Sequence, residues 1–219
     1  MAKKTTKKKR TRKPKTTQSF KTFEINIQRA SFFLDIQEER QALQGMGAPP
    51  TPYRELPRGA VVFAVGSLDT YLSEVSAELL IADLSKSKNT TDARNVLKDV
   101  QKDLPTIAIE VALLNKSEDR IEYIQNAITN HFYNKVSMHG SKAVANTMSR
   151  TASEAKDLWS SLKSKDYDKP AKTLDEWTQK RHEIVHQGKK LRILRPQARD
   201  CIDLIKAIAT EVDAFAMKA

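Results

Sequence analysis

Residues 181–192 read RHEIVHQGKKLR, and the residue types there support two different chemistries. His182 and His186 stand four apart with Glu183 between them, spelling H-E-x-x-H. Imidazoles one helical turn apart can grip a tetrahedral zinc ion while the carboxylate serves as base. Arg181 and His186 spell R-x4-H instead, a pair suited to cleaving RNA without a metal. The arginine offers a fork of permanently charged donors to phosphoryl oxygens, and the histidine moves protons near neutral pH. The two readings share His186, so its surroundings must separate them.

A helix is expected to carry all three residues. Thr173-Leu-Asp-Glu176 matches a capping box at its start, and Gly188 suits a left-handed residue at its end. With Leu174 set at zero and roughly 100° per residue, Trp177, Ile184 and Val185 form a buried stripe between roughly 280° and 20°. Arg181 falls inside that stripe at roughly 340°, with His182 and His186 on its flank at roughly 80° and 120°. Glu183 points away from the apolar centre. An arginine cannot shed its charge, so one aimed into an apolar face needs a carboxylate, a route to the surface or a ligand. All three remain open on spacing alone.

Zinc needs a third ligand. No histidine follows His186, and a carboxylate ligand could come from Glu211 on the last helical segment, which only its distance along the chain marks. The single cysteine, Cys201, lies in an apolar helical pattern and rules out both a disulfide framework and a cysteine-based zinc knuckle. No cofactor and no metal are expected.

The elements that must position these groups read as helices throughout. Apolar residues recur at helical spacing over 20–44, 58–84, 91–114, 118–138, 142–163, 174–187 and 196–217. Gly and Pro punctuate 45–57, which reads as a loop, and His139-Gly140 reads as the end of the 118–138 helix. No stretch alternates as a strand does, so an all-α bundle with antiparallel neighbours is expected.

Charge divides the chain unevenly. Of the net +11, residues 3–15 carry nine positive charges and no acid, leaving the remainder near neutral. Residues 1–18 read as a disordered basic arm ahead of a domain at 19–219. Such an arm attracts polyphosphates, although solubility, import or an anionic membrane surface also account for it. No secretory signal and no membrane span are present, which suits a cytoplasmic protein.

R-H-E-I-V-H-Q-G within an all-α chain resembles the R-x4-H signature of the HEPN superfamily, in which a polar residue commonly follows the arginine, here His182. The I-V-H-x-G ending is most similar to the RNase LS-related branch, RiboL-PSP. The likeness spans roughly 55–215, with an upstream helix like VVFAVGSLDTYLSEVSAELL and one helix closing the chain. The resemblance implies a HEPN-like helical bundle that forms a homodimer, pooling two motifs in a shared cleft. It further implies a metal-independent endoribonuclease in a toxin–antitoxin or antiphage-defence setting, with RNA as substrate and an antitoxin or sensor protein as possible partner. An inactive module of the same fold, binding nucleic acid or protein, is the alternative, and a zinc hydrolase the third.

Under that reading His186 is the general acid/base, Arg181 clamps the transition state, and His182 orients phosphate or assists the proton shuttle. Lys189, Lys190 and Arg192, with Arg195 nearby, either track the RNA backbone or form a solvated turn at the helix end. Asp69 in SLDTYL stands where relatives often carry an acid and either pairs with Arg181 or lies at the surface. His131 and His139 read as incidental.

Overall fold

The computed structural model describes residues 16–44, 51–85, 91–151 and 154–219; the basic residues 3–15 lie outside them. The described chain is all helix with no strand. α1 spans Gln18–Gln44, α2 Thr51–Arg54, α3 Leu56–Ser85, α4 Thr91–Asp103 and α5 Ile107–Leu113. They are followed by α6 Ser117–Lys135, α7 Gly140–Met148, α8 Ala155–Ser164, α9 Pro170–Gln187 and α10 Arg195–Ala216.

α3 is the axis of the bundle. Its buried residues, among them Val61, Val65, Leu68, Tyr71, Leu72, Val75 and Leu79, face several directions. A helix apolar nearly all round must be enclosed by others, and α1, α6, α9 and α10 all pack against it. Phe23, Ile27, Ala30 and Leu34 of α1 and Cys201, Ile205, Ile208 and Val212 of α10 complete the core. The start of α1 is fixed from outside the helix. Ser19 N–H donates to Glu78 on α3 at 2.7 Å, and Thr17 N–H to Asp213 on α10 at 3.1 Å. α1 is therefore an integral wall of the bundle.

Several boundaries differ from the sequence reading, each for a physical reason. Of the loop expected over 45–57, residues 45–50 lie outside the described residues and the rest is largely helical: α2 forms at Thr51–Arg54, and α3 starts at Leu56 with Pro57 in its first turn, where no backbone donor is needed. The 91–114 stretch breaks at Pro105 into α4 and α5. The 142–163 stretch breaks between α7 and α8, where the Ser149 and Thr151 hydroxyls donate to the carbonyls of Asn146 and Met148.

Gly140 does not end a helix. α6 stops at Lys135, and Gly140 opens α7 with φ near 70°. Its role is to admit a side chain from another helix. Asp175 of α9 accepts hydrogen bonds from the backbone N–H and hydroxyl of Ser141, both at 2.7 Å. A Cβ at position 140 would stand 2.6 Å from the Asp175 Oδ1. The cap of α7 is thus supplied by α9, and it locks the two helices together.

Replacing Gly140 by alanine adds left-handed strain and expels that cap. Chemical denaturation is expected to show a loss of about 1–3 kcal/mol, whereas Gly188→Ala, with open space around its Cβ position, should lose only the conformational part.

Candidate functional site

α9 begins three residues before the capping box read at Thr173. Pro170 occupies the first turn after Lys169, which adopts a left-handed conformation, and the Thr173 hydroxyl donates back to the Lys169 carbonyl at 3.2 Å. Proline needs no N–H partner there and so takes the start. The other end is as expected, with Gly188 left-handed at φ 61° and the Glu183 carbonyl accepting from Lys189 N–H at 3.1 Å. Leu174 and Trp177 are buried and Ile184 is partly so, but Val185 is exposed.

Arg181 projects from the inner side of α9 into a cavity of about 530 Å³. Asn26 and Arg29 of α1, Asp69 of α3, Tyr133 of α6 and His139 line the same space. The Arg181 Nε is buried and without a hydrogen-bond partner, and the guanidinium makes no ion pair among the described residues. Asp69, read as either a partner of Arg181 or a surface acid, is buried and hydrogen-bonded elsewhere. Asp69 Oδ2 lies 2.8 Å from His139 Nδ1, so His139, read as incidental, is part of the site. What concealed it was its position in the short 136–139 segment between helices, where no periodicity assigns a direction.

The electrostatics follow from the depth of Asp69, which is only 9% exposed. Burial pushes its carboxyl above the ordinary range, against the pull of His139 and then Arg181. The hydrogen bond to Asp69 raises the His139 imidazole, against burial and the nearby Arg181 charge. His139 remains about half exposed and can hold its proton in water while neutralising the acid behind it.

His182 and His186 lie on a different flank of α9. Their rings stand 4.8 Å apart, tilted by 43°, and both are exposed. Five residues of helix turn His186 through roughly 140° from Arg181. Within one chain the two motif residues therefore do not meet in the cavity.

The family model for RiboL-PSP-HEPN matches residues 7–218. The chain belongs to the RiboL-PSP-HEPN family. The match takes in α1 and part of the basic arm, well beyond the 55–215 stretch that carried the resemblance. Comparisons with curated proteins and with solved structures gave no match. Membership makes this HEPN protein, broadly, a nuclease or RNA-related module. Among its described residues, no helix is long and apolar enough to cross a membrane.

The other groups of the motif stretch have separate engagements in this HEPN protein. Glu183 accepts from Gln179 at 3.0 Å and pairs with Lys189 at 3.2 Å. Glu211, the carboxylate available as a third zinc ligand, accepts from the Ser161 hydroxyl at 3.0 Å and pairs with Lys165. No group of three His, Cys, Asp or Glu side chains among the described residues is placed to hold a metal. Lys190 and Arg192 line a different cavity of about 780 Å³, with Arg54, Arg58 and Arg195.

His139 is expected to titrate above the ordinary value of about 6.5, followed by NMR of its ring protons. Because its folded pKa is raised, the stabilisation that protonated His139 contributes is full below about 6.5 while Asp69 stays ionised, and fades as pH rises through the folded value. Asp69→Asn should return His139 to about 6.5 or below. A wild-type His139 already titrating there would contradict the pairing.

Proposed function

We propose that this protein is a metal-independent endoribonuclease acting in a toxin or antiphage-defence setting. The observation that carries the reading is Arg181: a guanidinium directed into a cavity, its Nε unpartnered and forming no hydrogen bond to Asp69, whose Oδ2 bonds His139 and whose Oδ1 is itself unpartnered. Because an unpaired buried charge is costly, an arginine held for structure beside a buried carboxylate is expected to pair with it. One left without it keeps its donors for an incoming anion, and a phosphodiester supplies oxygens in the matching arrangement.

In the proposed reaction the ribose 2′-oxygen loses its proton to a base and bonds to the adjacent phosphorus. The bond from phosphorus to the 5′-oxygen breaks, and that oxygen takes up a proton. The products are a 2′,3′-cyclic phosphate and a 5′-hydroxyl. Arg181 stabilises the charge gathering on the phosphoryl oxygens, His186 transfers a proton, and His182 beside it orients phosphate or relays the proton. Lys190 and Arg192 hold the RNA backbone, while Lys189 is drawn back onto Glu183.

The divergence of Arg181 and His186 around α9 supports a homodimeric enzyme, because two chains meeting along this helix would pool what one chain separates. An antitoxin or sensor protein is the further partner this setting calls for. The same divergence favours binding without turnover as the second reading.

Cleavage of a labelled structured RNA in excess EDTA separates the two. Wild type is expected to cut, leaving a cyclic phosphate, and Arg181→Ala and His186→Ala to fall by at least about a hundredfold while remaining folded. RNA retained uncut by wild type would establish the binding module instead.

A further inference from the structure

Breaking a phosphodiester by 2′-oxygen attack involves two proton transfers, one from the nucleophile and one to the departing oxygen. The motif of α9 sends its histidines to the outer flank, away from the cavity that Arg181 enters. Among the described residues lining that cavity, His139 is the one imidazole. Its Nδ1 is held 2.8 Å from Asp69 Oδ2, which fixes the ring and leaves Nε2 for another partner. A buried carboxylate orienting one ring nitrogen while the other does chemistry is a recurring device for setting a histidine's tautomer and direction.

Resting on the ribonuclease reading, we propose that His139, oriented by Asp69, is the general acid that protonates the departing 5′-oxygen at the phosphate bound by Arg181. The 2′-oxygen proton then leaves to His186 of the partner subunit in the proposed homodimer, since within one chain His186 faces away from the cavity. The attacking oxygen gains its bond to phosphorus, the 5′-oxygen carries away its electron pair, and Nε2 of His139 supplies the proton, so the step needs no co-reactant.

The surroundings of His139 suit an acid. Asp69 of α3 favours the protonated ring, while Arg181 of α9 opposes it without displacing the pair. Arg29 of α1 lines the same cavity as a second fixed positive group. Tyr133 of α6 does not compete for the role, since its hydroxyl donates to Glu74 at 3.1 Å and burial drives its pKa upward. At about 530 Å³ the cavity lies within the range of small-ligand sites, about 300–1,000 Å³, and has room for one nucleotide unit.

The test uses the full chain and two RNA oligonucleotides, one ordinary and one with sulfur replacing the bridging 5′-oxygen at the mapped cleavage site. Sulfur departs without a proton. His139→Ala should slow the ordinary substrate by about 10²–10⁴-fold and cut the sulfur substrate near the wild-type rate, whereas His186→Ala stays slow on both. Asp69→Asn should move the alkaline limb of the wild-type pH–rate profile to lower pH, a change that a merely structural pair would not produce. Wild-type speed of His139→Ala on ordinary RNA, or equal slowing on both substrates, would overturn the proposal while leaving the nuclease reading intact. If wild type cuts neither substrate, the nuclease reading fails and the role of His139 falls with it.

Discussion

Asp69 projects from α3, the helix enclosed by most of the bundle, and at 9% exposure its negative charge is held where water gives little help. A buried charge without a partner costs several kcal/mol, so the fold around it must bring one. His139 is that partner, and the consequences spread outward from it. Holding His139 fixes the segment that leads out of α6. The next residue, Gly140, then turns with positive φ and opens α7 against the Asp175 carboxylate of α9. One short stretch of chain therefore joins α3 to α9 and sets how α9 presents Arg181 to the cavity.

The pairing also explains why a charged arginine stands unpaired. Had Asp69 bonded Arg181, the result would be an ordinary ion pair, with part of the donor fork committed to the carboxylate. Because Asp69 Oδ2 is bonded to His139, the guanidinium of the partly buried Arg181 keeps its donors toward the cavity. A bound phosphate would complete what the fold leaves open.

Much of this was legible in the residues. The long apolar stripes identified the helices, Gly188 marked the end of α9, and the angular position of Arg181 within its stripe flagged it as unusual. The misreadings share a cause: each feature looks local in sequence but is settled by a neighbour in space. His139-Gly140 has the composition of a helix end, yet Asp175, 35 residues after Gly140, makes it a beginning. Thr173 to Glu176 has the pattern of a capping box, yet Pro170 claims the start. His139 could not be assigned at all, because residues between helices carry no period from which to read a direction. Val185 counts as apolar in any wheel, but the stripe is narrower than its composition and leaves it exposed.

On the proposed reading, Arg181 is held for a ligand and not for the stability of the bundle. The most direct test is the unfolding free energy of Arg181→Met, measured by chemical denaturation against wild type without RNA. Methionine keeps the apolar stem and removes the guanidinium. Arg181→Met should change stability by no more than about 0.5 kcal/mol, or raise it, because no hydrogen bond or ion pair is lost. A loss of about 3–5 kcal/mol, the size expected when a buried charge loses its partner, would contradict that reading and make Arg181 a structural residue.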